Sequence, residues 1–158
     1  MIAEAPFLFS IAGVSASLAG LAGLVAGLRR GDELRPLDLF RLRQIVEFSF
    51  ATALLAIITI PLAQLLGNLE ATARLGGLLA VVVVTVGALV LVRRVAGAGV
   101  IQGRTPVIVA VAANGAALVA GLATLVTGSI ELYEVTLVLM LARPMAAFLL
   151  VLASFEHA

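Results

Sequence analysis

Residues 6–28, PFLFSIAGVSASLAGLAGLVAGL, carry no charge, and residues 29–43, RRGDELRPLDLFRLR, follow them with five arginines. Residues 44–66, QIVEFSFATALLAIITIPLAQLL, are then apolar again with a single acid, Glu47. An uncharged run of 23 residues reaches about 34 Å as a helix at about 1.5 Å per residue, enough to cross a hydrocarbon layer of about 30 Å. Helix is the only economical state for such a run, because in hydrocarbon its backbone polar groups must be satisfied within the segment. The pattern recurs at about 75–92, 106–127 and 132–155, which predicts an all-α bundle with five transmembrane helices in one integral membrane domain, 1–158.

Composition points the same way. Charged residues are 12% of the 158-residue chain and hydrophobic residues 63%, with a mean hydropathy of +1.22. A water-soluble fold uses about a quarter of its residues as charges to cover its surface, and this chain has half that share. The N-terminal apolar run lacks a basic leader, so it reads as a permanent span and not as a cleavable signal.

Arginine placement gives the orientation. Arg29, Arg30, Arg35, Arg41 and Arg43 follow the first span and Arg93, Arg94 and Arg104 the third, whereas Arg74 alone follows the second. The expectation is N-out/C-in, with the arginine-rich loops in the cytoplasm of a bacterial cell and the protein in its inner membrane. Residues 36–45 alternate Leu37, Phe40, Leu42 and Ile45 with charges. They predict a short interfacial helix running into the second span, its arginines against anionic lipid headgroups. The outer side carries Glu4, Glu70, Glu131 and Glu134.

Several chemistries are excluded by inventory. There is no cysteine, and the single histidine, His157, is next to last, so thiolate sites, histidine-based metal sites and histidine triads have no residues to form from. No glycine-rich phosphate loop, metal-spaced carboxylate set or basic stretch with interleaved aromatics occurs. The expectation is a non-enzyme without cofactor or metal, and without nucleic acid as partner. All ten basic residues are arginine, which fits a GC-rich coding bias.

Two kinds of intramembrane residue remain informative. Ala16, Gly20, Gly23 and Gly27 recur along one face of the first span, and Ala113, Ala117 and Gly121 along the fourth. In lipid, helices associate by close approach, so small faces mark contacts, within the chain or between copies. Arg143 lies mid-span in the fifth helix and precedes Pro144, which removes the hydrogen bond to the Met140 carbonyl and predicts a kink. A guanidinium at this depth costs at least about 2.5 kcal/mol and must face the protein interior. Counting depth at 1.5 Å per residue puts Asn114 within about 6 Å of its level, making Asn114 the expected acceptor. Glu47 is the nearest acid. Ser49, Thr52 and Thr59 form a polar line on the second span.

Arg41, Gln44 and Glu47 form an R-x-x-Q-x-x-E array that faintly resembles the R-x-x-N-x-x-E array of the membrane-associated eicosanoid and glutathione enzymes, without that family's histidine. A longer stretch, LAGLAGLVAGLRRGDELRPLDLFRLRQIVEFSF, resembles small multi-pass bacterial membrane proteins of unknown function, as do Asn114 and the segment around Tyr133. That resemblance implies a membrane bundle and assigns no activity. Two functions stay open: an oligomeric bundle whose Arg143, Asn114 and Glu47 bind or conduct a small ion or solute, or an accessory scaffold subunit of a larger membrane complex.

Overall fold

The computed structural model describes residues 4–28, 36–98 and 104–155. They form five helices: α1 Ala5–Leu28, α2 Pro36–Leu66, α3 Leu69–Ala98, α4 Arg104–Thr127 and α5 Ile130–Phe155. Each is long and apolar enough to cross a membrane. Arg29, Arg30, Asp32, Glu33, Arg35, Glu156 and His157 lie outside the described residues. The expected interfacial helix is the first part of α2 itself. Both α2 and α5 continue as single helices through Pro61 and Pro144.

Two tight turns of matching design join α2 to α3 and α4 to α5. Gly67 and Gly128 take left-handed φ values of 60° and 71°, which glycine adopts without a Cβ penalty. Each donates its N–H back to the preceding helix, to Ala63 at 3.0 Å and Thr124 at 2.7 Å. The next residue caps the following helix. Asn68 Oδ1 accepts from the backbone of Glu70 at 2.9 Å and of Ala71 at 3.3 Å, and Ser129 Oγ from Leu132 at 3.2 Å. A glycine, a capping residue, an aliphatic residue and a glutamate therefore recur as Gly67-Asn68-Leu69-Glu70 and Gly128-Ser129-Ile130-Glu131.

The two hairpins close into a four-helix bundle in which α2 packs on α5, α5 on α4 and α4 on α3, with a looser contact between α3 and α2. Helix α1 leans on α2 and touches α5 less. One end of the bundle carries Arg41, Arg43 and Arg93; the other carries Glu4, Glu70, Arg74, Glu131 and Glu134. We call them the basic and acidic ends.

Burial is inverted relative to a water-soluble bundle. Leu65, Val111, Val119, Val126 and Leu149 are all more than half exposed, while Thr52, Thr59, Thr72, Thr124 and Thr136 are buried. The buried threonine hydroxyls donate to carbonyls one turn back, as Thr52 does to Phe48 at 2.9 Å and Thr59 to Leu55 at 2.7 Å. A surface of this kind suits a hydrocarbon solvent, in which the apolar exterior has no water to avoid.

Small residues set the helix approaches. Gly77 and Gly121 meet between α3 and α4, where a Cβ on Gly77 would stand 3.0 Å from the Gly121 carbonyl oxygen. Ala117 is buried beside them and Ala113 half-buried. The face predicted on the fourth span is thus used inside the chain. On α1 the outcome differs: Ala16, Gly20, Gly23 and Gly27 are exposed, and a Cβ on any of these glycines would meet nothing within 4 Å.

Candidate functional site: a buried arginine held by neutral partners

Arg143 is 7% exposed, near the middle of α5. Its guanidinium donates from Nη1 to Asn114 Oδ1 at 3.2 Å and from Nη2 to Gln44 Oε1 in a buried bond. Its Cζ stands 3.8 Å from the centroid of the Phe48 ring, a stack worth up to about 2 kcal/mol when desolvated. Helices α2, α4 and α5 therefore each contribute to one polar centre.

Gln44 and Phe48 are four residues apart and share a face of α2, which brings the amide and the ring to the same guanidinium. The ring in turn needs room on α3. Gly87 supplies it, because a Cβ there would stand 3.0 Å from Cε1 of Phe48 and closer still to Cζ. The tip of the Phe48 ring therefore points at Gly87 of α3 while a face of the ring carries the Arg143 guanidinium.

Both described hydrogen-bond partners of Arg143 are neutral carbonyl oxygens. Glu47 is ion-paired to Arg43 through Nε at 2.7 Å, one turn apart on α2, and the pair is substantially exposed. Arg41 and Asp38 form a second pair at 3.4 Å. Of the expected trio, Arg143 and Asn114 are thus brought into contact, and Glu47 stands on the adjoining turn in an ion pair with Arg43. Gln44, Phe48 and Gly87 complete the centre without having been anticipated as its members. Ser49 Oγ, one residue beyond Phe48, is buried with no hydrogen-bond partner among the described residues.

A second polar layer lies toward the acidic end. Tyr133 is fully buried, and its hydroxyl lies 2.9 Å from Thr59 Oγ1 and 3.1 Å from the Leu55 carbonyl oxygen. Gly76 accommodates the ring, since a Cβ there would stand 2.7 Å from Cε2 of Tyr133. Thr124 and Thr136 pair across α4 and α5 at 3.3 Å. Between this layer and Arg143 lie Leu137, Met140 and Leu141 with Ala56, Ala80, Val84 and Ala117, all buried in one apolar cluster.

Two clefts flank α3, each reaching a partner of the arginine but not the arginine itself. One, of about 360 Å³, lies between α2 and α3 and includes Gln44, Glu47, Phe48, Ala51 and Gly87 in its walls. The other, of about 250 Å³, lies between α3 and α4 and reaches Asn114.

No protein-family model matches the chain, and no curated protein or solved structure matches it either.

Proposed function

We propose that this chain is an integral protein of the bacterial cytoplasmic membrane, N-terminus outside and C-terminus in the cytosol. It works there as an oligomeric helical bundle whose Arg143 centre binds a small ion or solute. The observation that carries the reading is the charge balance at Arg143. A buried guanidinium is costly unless it is paired and hydrogen-bonded, yet the groups in contact with it are two amide oxygens and an aromatic face. They satisfy hydrogen bonds without neutralising the charge, and the acid that acts on it, Glu47, is shared with Arg43, which favours an anionic or strongly electron-rich ligand. The apolar layer of Leu137, Met140 and Leu141 favours binding over an open path through the bundle. The eight-to-one bias of arginines in the loops supports the orientation.

Ligand-induced stabilisation of the purified full chain in mild detergent tests the binding reading. A ligand that binds the folded state raises the unfolding midpoint by mass action. Small anions such as acetate and nitrate, with matched cations as controls, are expected to raise it in the wild type. The shift is expected to vanish in Arg143→Gln. A panel with no anion-dependent shift would remove the support for a binding centre. Reporter fusions after residues 67 and 158 that fail to read opposite sides would overturn the orientation.

Association is assigned to α1, whose small face is open along its length. Gly20→Leu with Gly23→Leu is expected to leave the helical content of one copy unchanged, because each side chain enters free space. The same pair is expected to lower the copy number in detergent. An unchanged copy number would rule out this face as the contact.

A second reading rests on the same hydrogen bonds. Arg143 joins α2, α4 and α5, so the centre also suits a scaffold subunit that holds a fixed shape within a larger complex.

A further inference from the structure

We infer that the cleft between α3 and α4 is the seat for α1 of a second copy, so that copies join head to tail. This rests on the reading above that α1 carries the association, and it names the surface that receives the helix.

The bundle has an open place of the right kind. Around the ring of α2, α3, α4 and α5, helix α1 lies over the groove that α2 forms with α5. The diagonally opposite groove, between α4 and α3, has no described helix over it and opens into the cleft of about 250 Å³. Gly115 lines that cleft with open space where a Cβ would project. Two polar side chains line it as well, Thr85, which is exposed, and Asn114, which is half-buried. Asn114 accepts from Arg143 through Oδ1, while its amide N–H groups and the Thr85 hydroxyl make no hydrogen bond among the described residues. Thr52, Thr59, Thr72, Thr124 and Thr127 all turn their hydroxyls onto the carbonyl one turn back, so Thr85 is the exception among them. Donors left unpaired in hydrocarbon are costly, and in lipid they are met by groups across a helix contact. An acyl tail offers no acceptor; a helix does.

Helix α1 carries the matching face. Gly13, Ser17, Gly20, Leu24 and Gly27 recur at i, i+4, i+7, i+11 and i+14, and all five are exposed. A Cβ on any of these glycines would meet nothing within 4 Å, so no contact within the chain uses the row. Ser17 Oγ donates to the Gly13 carbonyl at 2.9 Å and keeps its lone pairs for the Asn114 amide or the Thr85 hydroxyl. Leu24, the one bulky member, fills the cleft while the glycines let the backbones approach. The levels agree. Counted from the acidic end at about 1.5 Å per residue, Ser17 lies about 18 Å along α1, Asn114 about 20 Å along α4 and Thr85 about 24 Å along α3. Copies that cross the bilayer in the same sense keep these levels aligned between neighbours. The giving and receiving patches differ, so the contact is heterologous.

The chain has no cysteine, so introduced cysteines report contacts without background. Gly20→Cys and Gly115→Cys each place a side chain in open space, and the two positions lie within about 5 Å of one level. Oxidation of the full chain in liposomes by a lipid-soluble copper complex is expected to cross-link a mixture of the two variants and neither variant alone, since a disulfide needs Cα atoms within about 7 Å. A chain with both substitutions is expected to give a ladder beyond the dimer. Thr85→Val is expected to weaken association about threefold, the scale of one interhelical hydrogen bond in lipid, and Gly115→Leu to lower the copy number. Gly20→Cys cross-linking to itself would overturn the α3/α4 seat and keep α1 as the contact. No cross-link between the unlike variants, with a copy number that Gly115→Leu leaves unchanged, would assign the cleft to lipid and overturn the seat. If Gly20→Leu with Gly23→Leu also left the copy number unchanged, the association reading beneath it would fall too.

Discussion

Gln44→Leu is expected to destabilise the folded chain by about 1.5–3 kcal/mol, the range for a hydrogen bond to a charged group. The cost is not the loss of one contact alone. Leucine fills much of the same volume, so the penalty comes from a guanidinium left buried with one fewer acceptor. Asn114→Leu should cost less, because the asparagine is only half-buried. Removing both polar ends of the interaction should reverse the trend. The triple variant Gln44→Leu, Asn114→Leu, Arg143→Met carries no buried charge, and such replacements are often neutral or stabilising. Reversible unfolding in mixed micelles measures all three. A Gln44→Leu variant within about 0.5 kcal/mol of wild type, a size typical of surface substitutions, would mean that the arginine finds its acceptors elsewhere. The triple variant also divides the two functional readings. A scaffold retains its assembly when its core is well packed without charge, whereas a binding centre loses its ligand.

Gly87→Leu is expected to be comparably damaging, at about 3 kcal/mol. Its new side chain must displace the Phe48 ring, and overpacking costs about 1–3 kcal/mol. The ring cannot withdraw freely, because one of its faces lies against the guanidinium at 3.8 Å. Moving it gives up a stack worth up to about 2 kcal/mol. Against this stands the helix-propensity gain from losing a glycine, about 1 kcal/mol, so the steric loss wins. Phe48→Leu added to Gly87→Ala should recover part of the loss of Gly87→Ala alone, and the coupling energy from that cycle measures the contact. If Gly87→Ala proved more stable than wild type, Phe48 would not be seated on Gly87 in solution.

The five helices were legible because hydrocarbon-length apolar runs leave the backbone no alternative to a helix. Their ends were less so. Hydropathy predicts a second span from 44, whereas α2 begins at Pro36, and a third from 75, whereas α3 begins at Leu69. Hydropathy marks where charge begins; helical hydrogen bonding continues until a residue such as Gly67 or Gly128 turns the chain. The same distinction hid Gln44. Counted from an apolar boundary at 44 it sits at the edge of a span, but counted from Pro36 it lies about 12 Å into the helix at about 1.5 Å per residue. Asn114, counted from Arg104, lies about 15 Å in, so the two amides reach the same guanidinium. The seat of Phe48 on Gly87 left no local trace, since spacing along one helix says which residues share a face and not which helix they meet. The small residues of α1 and α4 make that point directly: Ala117 and Gly121 serve an internal contact, whereas Gly20, Gly23 and Gly27 line open surface.

The layer of Leu137, Met140 and Leu141 has an electrical consequence. With the proposed crossing of the bilayer, it sits between a hydroxyl layer and a cation, so an ion driven by the membrane voltage would have to shed its hydration against a dry plug. On the proposed reading such a layer opposes the passage of an ion through one copy, and a ligand of Arg143 would arrive and depart on the same side of it.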